Sequence, residues 1–190
     1  MRKNPTSVRT RVLIADDYLP FAEQCKGMLE PEFEVVGIVL DGLRLAESIS
    51  RLKPDIVVID VSMPEINSFD AGELVRAARP GAKTVYMTVA ADFLLAAEAF
   101  QRGASGLVDK ARFPEELRVA VRRAVRGELL LSSSLLTEKR EMGSFHSFIE
   151  GRVGADRRQE PGGPTEVDKP GQGSLPKKRD AALRKQIRPR

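Results

Sequence analysis

Ile56-Val57-Val58-Ile59-Asp60-Val61-Ser62-Met63-Pro64 is the stretch from which the fold of this chain is read. Its first four residues are apolar and β-branched. An unbroken run of that kind suits a strand buried on both faces of a parallel sheet, and Pro64 marks its end. Asp60 therefore falls at the strand's C-terminal mouth, the edge of open α/β sheets where ligands bind. A lone aspartate there would serve equally well as a turn cap. A second acidic strand end, Val12-Leu13-Ile14-Ala15-Asp16-Asp17, breaks the tie. If the two strands are neighbours, three carboxylates converge, and their mutual repulsion is costly unless a cation offsets it. Oxygen donors without cysteine or histidine suit a hard ion, Mg²⁺ rather than Zn²⁺. Two further strand ends supply Thr88, after Lys83 to Met87, and Lys110, after Gly106 to Asp109. An acid cluster, a hydroxyl and an ammonium around one carboxylate are the parts needed to hold a phosphoryl group.

The chain of 190 residues allows one domain with an extension, or two small domains. No apolar run approaches the ~20 residues of a membrane span, and the first eleven residues lack a signal peptide's apolar core, so a cytoplasmic protein without membrane contact is expected. Cys25 is the one cysteine and lies on a helical stripe with Phe21, Ala22 and Leu29, which marks it as a small buried hydrophobe. Of the formal net charge of +4, the residues from Thr137 onward carry 13 Lys and Arg against 8 Asp and Glu. The basic character therefore belongs to the tail and says little about the partner of the folded part.

Taken in order, the pattern predicts strands at 12–15, 33–40, 55–60, 83–87 and 106–108, each followed by a helix. Pro20 suits a first helical turn, and Leu43, Ala46, Ile49 and Leu52 are expected inward on the second helix. Ser68 is placed to cap the third helix, with Leu74, Val75 and Ala78 inward, and Asp92 to cap the fourth. Leu117, Val121, Ala124 and Val125 stand at core spacing on the fifth. The expected fold is a doubly wound α/β domain with a five-stranded parallel sheet in the flavodoxin-like order 2-1-3-4-5. It occupies residues 11–127, followed by a linker with helical potential at 128–150 and a basic tail at 151–190. In that tail only eight of forty residues are apolar, with five prolines and six glycines, so disorder is expected.

The paired acids, the Asp60 block, Thr88 and Lys110 together resemble the receiver (CheY-like) domain of bacterial two-component response regulators over roughly residues 11–126. The resemblance implies that Asp60 accepts a phosphoryl group from a sensor histidine kinase, a phosphotransfer protein or a small phosphodonor. It implies Mg²⁺ bound by Asp17, Asp60 and the backbone carbonyl of Ser62, with Asp16 acting through water, and Thr88 and Lys110 as the groups that meet the phosphoryl oxygens. It leaves a homodimer on phosphorylation open. The chain departs from the family pattern at Leu107, where an aromatic switch residue is usual, at Ala111 in place of proline, at Ser68 in place of glycine, and at Val89 in place of a smaller residue. The run Leu135-Leu136-Thr137-Glu138-Lys139-Arg140-Glu141 resembles the entry to a LuxR-type helix-turn-helix output region, and the likeness then fades. Two other readings stand beside the receiver. A DNA-binding regulator with a truncated or diverged output is disfavoured because Pro161, Pro164, Pro170 and Pro176 break any pair of packed helices. A Mg²⁺-dependent phosphatase is disfavoured because Ser62, not an acid, stands two residues after Asp60.

Overall fold

The computed structural model describes residues 9–66 and 68–137, and the expectations for residues 138–190 lie outside the described residues. Strands and helices alternate: β1 Arg11–Ala15, α1 Leu19–Leu29, β2 Glu34–Val39, α2 Leu45–Leu52, β3 Ile56–Asp60, α3 Ser68–Ala78, β4 Lys83–Thr88, α4 Phe93–Gln101, β5 Gly106–Asp109, α5 Phe113–Val125 and β6 Leu130–Leu131. The sheet runs β2-β1-β3-β4-β5-β6, with all pairs parallel. The expected order is present, and β6 is an addition to the five strands read from the sequence. Among the described residues no helix is long and apolar enough to cross a membrane.

Unbroken apolar strands feed two layers because successive side chains leave opposite faces of a sheet. Leu13, Val57, Ile59, Tyr86 and Leu107 face α2, α3 and α4, where Leu45, Ile49, Ala71, Val75 and Phe100 are buried. Val12, Ile14, Ile56, Val58, Val85 and Val108 face α1 and α5, where Cys25, Leu29, Leu117 and Val121 are buried. Pro20 sits in the first turn of α1, and Asp92 caps α4 by accepting from the Leu95 amide at 2.7 Å.

Two phase assignments need correction. Asp41 caps a tight 3₁₀ turn at Gly42–Arg44, accepting from the Leu43 amide at 2.8 Å, so the helix proper starts only at Leu45. Leu43 is left 73% exposed, and Leu45 with Ile49 takes the inward positions. On α5, Val125 is 48% exposed as the last residue of the helix, and Ala120 is buried instead. Ser68 opens α3 as its first helical residue.

The added strand is fastened at both ends. Leu130 N donates to Ser105 O at 3.1 Å and Ser132 N to Leu107 O at 2.9 Å, which extends the ladder along β5. Glu116, in the first turn of α5, accepts from the hydroxyls of Ser132 and Ser133 and from the Ser133 amide at 3.0 Å. Arg112 lies 3.8 Å from the same carboxylate. A carboxylate near a helix N-terminus is favourable in itself. Hydrogen bonds to a charged acceptor add about 1.5–3 kcal/mol each at most, shared here with an exposed rim. Glu116→Ala should therefore speed amide exchange at Leu130 and Ser132 by tenfold or more while leaving β1 and β3 protected. Equal protection at those two amides in native and variant chains would refute the fastening.

Tyr86 is buried on β4, and burial pushes its hydroxyl up to about 12. A Cβ at Gly72 on α3 would overlap that hydroxyl oxygen. Gly72→Ala would gain about 1 kcal/mol of helix propensity but lose about 1–3 kcal/mol to overpacking. The net expectation is destabilisation by about 1 kcal/mol in urea unfolding, reversed when Tyr86→Phe removes the oxygen.

Candidate functional site

Register decides which side chains meet. Ala15 pairs with Ile59, Asp60 with Met87, and Thr88 with Asp109. Asp16, Asp60, Thr88 and Lys110 therefore end four neighbouring strands at one edge of the sheet. Asp16 and Asp60 are only 3% and 4% exposed, Thr88 is buried, and Asp17 is open to solvent. One carboxylate oxygen each from Asp16, Asp17 and Asp60 lie within 4.8 Å of one another. The structure thus brings together the three acids, and the expected ammonium with them.

Lys110 Nζ lies 2.8 Å from Asp16 Oδ2 and 2.9 Å from Asp60 Oδ2. The outer oxygens are held by backbone amides: Tyr18 N donates to Asp16 Oδ1 at 2.9 Å and Ser62 N to Asp60 Oδ1 at 3.1 Å. These bonds fix both carboxylates before any ligand arrives. Burial alone would lower the Lys110 pKa, but the hydrogen bonds and charges of Asp60 and Asp16 outweigh it and hold it above 10.5. A raised lysine contributes stability that is fully present below its ordinary pKa and lost only as pH rises past the raised value. The pairing is therefore intact throughout the neutral range.

Thr88 Oγ1 accepts from the Ala90 amide at 3.1 Å, which shapes the turn after β4. Val89 points to solvent at 73% exposure, so its bulk does not fill the acid cluster. Leu107 is fully buried against the α4 layer. Cys25 behaves as the buried hydrophobe expected, its thiol pushed up to about 12 by burial.

Sequence reasoning missed Phe21 and Phe113. Lys110 Nζ stands 4.5 Å from the centroid of the Phe21 ring. Phe113 meets that ring edge-on, with centroids 4.9 Å apart. The available signal was spacing: Phe21 lies one helical turn beyond the paired acids, and Phe113 three residues beyond the lysine.

The strand order and the lysine-neutralised acid cluster at the C-terminal mouths define the class: an open, doubly wound α/β domain built around buried carboxylates. Within that class the chain belongs to the response regulator receiver domain family, whose model matches residues 12–122. It is 32% identical over 108 residues to the chemotaxis protein CheY of Thermotoga maritima, covering 56% of this chain and 90% of that protein. It is 29% identical over 129 residues to the transcriptional regulatory protein DegU of Brevibacillus brevis, covering 67% of this chain and 55% of that one. A crystal structure of a two-component response regulator of the LuxR family from Aurantimonas sp. SI85-9A1 superposes with a TM-score of 0.66 at 27% identity, covering 72% of this chain and 99% of that one. The chain spans little more than half the length of curated relatives such as DegU, at 55%, and the nitrate/nitrite response regulator protein NarL of Escherichia coli, at 58%.

Removing one partner of a buried ion pair strands the other, with costs of about 3–5 kcal/mol when no water reaches it. Lys110 is partly open, its side chain 14% exposed, so Lys110→Met should cost about 1–3 kcal/mol at pH 7. Asp16→Asn should cost less, because Asp60 still pairs with the ammonium. Urea unfolding without divalent cations checks the order, and a larger loss in Asp16→Asn would contradict it.

Proposed function

We propose that this chain is the phosphoacceptor receiver of a cytoplasmic two-component phosphorelay, and that Asp60 takes a phosphoryl group from a sensor histidine kinase or a phosphotransfer protein. The observation that carries this reading is the Lys110 ammonium, held at once by Asp60 and Asp16 beside Asp17. A buried carboxylate with a flexible lysine's cation already at hand is arranged to acquire further negative charge. An Asp60 oxygen attacks phosphorus, the P–O bond forms as the donor's P–N bond breaks, and the electron pair leaves on the imidazole nitrogen. The product is an acyl phosphate on Asp60. Lys110 then turns from the spent carboxylate to the phosphoryl oxygens, and the Thr88 hydroxyl is the nearby donor that can follow them.

Three carboxylate oxygens within 4.8 Å, with no nitrogen or sulfur donor among them, suit a hard divalent ion. Asp17, Asp60 and the Ser62 carbonyl would hold Mg²⁺ directly and Asp16 through water, and the bound ion supplies positive charge against the phosphoryl oxygens. Action on transcription rests on the names of relatives matched over little more than half their length, and on residues beyond the matched segment.

Incubation with acetyl phosphate and Mg²⁺ should add one phosphoryl mass to the intact chain, and Asp60→Asn should remove that gain. Asp55 is the control. It sits at the opposite end of the strand, accepting from the Arg11 amide at 3.0 Å and pairing with Arg79 at 3.1 Å, so Asp55→Asn should still be labelled. Labelling that survives in Asp60→Asn sinks the assignment.

A further inference from the structure

We infer that Phe21, backed by Phe113, is a positioning residue for Lys110, an aromatic bracket that holds the ammonium over the acid cluster. The inference deepens the phosphoacceptor reading and rests on it for its catalytic meaning, but its geometry stands apart from any phosphodonor. Among the described residues the ammonium meets Asp16 Oδ2 at 2.8 Å, Asp60 Oδ2 at 2.9 Å and the Phe21 ring centroid at 4.5 Å. The first two attract by charge, and both sit on the sheet. The third comes from α1 and presents the electron-rich face of a ring, which attracts a cation without competing for its protons in hydrogen bonds. Phe113 packs its edge against Phe21 at 63° and 4.9 Å, the T-shaped arrangement that aromatic pairs prefer. Phe113 begins α5 immediately after the Lys110–Arg112 turn, so the same turn carries both the lysine and the support of its bracket.

The chemical consequence follows from what the lysine must do. A lysine stem is flexible, with a compact charge that water solvates strongly. Released from Asp60 when that carboxylate becomes an acyl phosphate, it keeps Asp16 as its one charged partner, and Asp16 alone would draw it away from the phosphoryl group. A ring face restrains it without fixing it to one oxygen, which leaves the ammonium free to turn from carboxylate to phosphoryl group. The bracket therefore acts on Lys110 and not on the substrate.

The test compares Phe21→Tyr, which keeps a ring face, with Phe21→Leu, which keeps an apolar body without one, in the full chain. Without any phosphodonor, the ¹⁵N-detected ammonium signal of Lys110 reports its protection from water. We expect native and Phe21→Tyr chains to retain it and Phe21→Leu to exchange roughly three- to tenfold faster, the range a partly desolvated cation–π contact supplies. With acetyl phosphate and Mg²⁺, the labelling rate should fall by a similar factor in Phe21→Leu, recover in Phe21→Tyr, and be insensitive to Phe21 once Lys110→Met is present. Should Phe21→Leu fail to fold, Phe21→Met takes its place in the same comparison. Equal ammonium exchange in all three chains, or equal loss in the tyrosine and leucine variants, overturns the bracket. A chain that takes no label at all, yet shows the ammonium difference, overturns the phosphoacceptor reading and leaves the bracket standing.

Discussion

Two buried carboxylates share one ammonium, and the upper edge of the sheet is arranged so that they can. Neighbouring strands lie about 4.8 Å apart, and the order β1-β3-β4-β5 puts Lys110 two strands from Asp60 and three from Asp16. Only a long side chain bridges such a gap, and Lys110 starts the tight turn that follows β5. Residues 94 apart in sequence thereby depend on each other. An acid buried alone would cost several kcal/mol, and the acids of β1 and β3 are tolerated because β5 ends in a cation. The Tyr18 and Ser62 amides complete the satisfaction of the oxygens, so the loops after β1 and β3 are shaped by the same demand.

Much of this was legible because it is written in short-range rules. Four β-branched residues before Asp60 mark a doubly buried strand, and Asp92 before Phe93 marks a helix start that the structure places at that residue. The acids, Thr88 and Lys110 were each found by one criterion, their place after an apolar run. Where reading failed, a local detail changed the phase. The 3₁₀ turn at Gly42 moved the buried face of the next helix from Leu43 to Leu45, and nothing in the periodicity of so short a helix announces that shift. β6 was missed because a two-residue strand is no longer than chance and is defined by partners elsewhere: Ser105, Leu107 and Glu116. Phe21 was read as core because an aromatic on an apolar stripe usually is. Its contact with Lys110 is visible only when α1 and β5 are placed side by side.

The fastening of β6 bears on how this domain behaves in company with other chains. The end strand of a sheet exposes a row of unpaired backbone donors and acceptors, a template on which another chain can pair. Here the start of β5's outer side is occupied by the chain's own continuation, Gly106 and Leu107 pairing with Leu130 and Leu131, and the Glu116 carboxylate holds Ser133 just beyond. A chain ending at Gly127 would keep every residue of the acid cluster and yet leave Gly106 and Leu107 bare as well, lengthening the open edge on which another chain could pair. The boundary of the chemistry and the boundary of a well-behaved molecule thus fall at different residues.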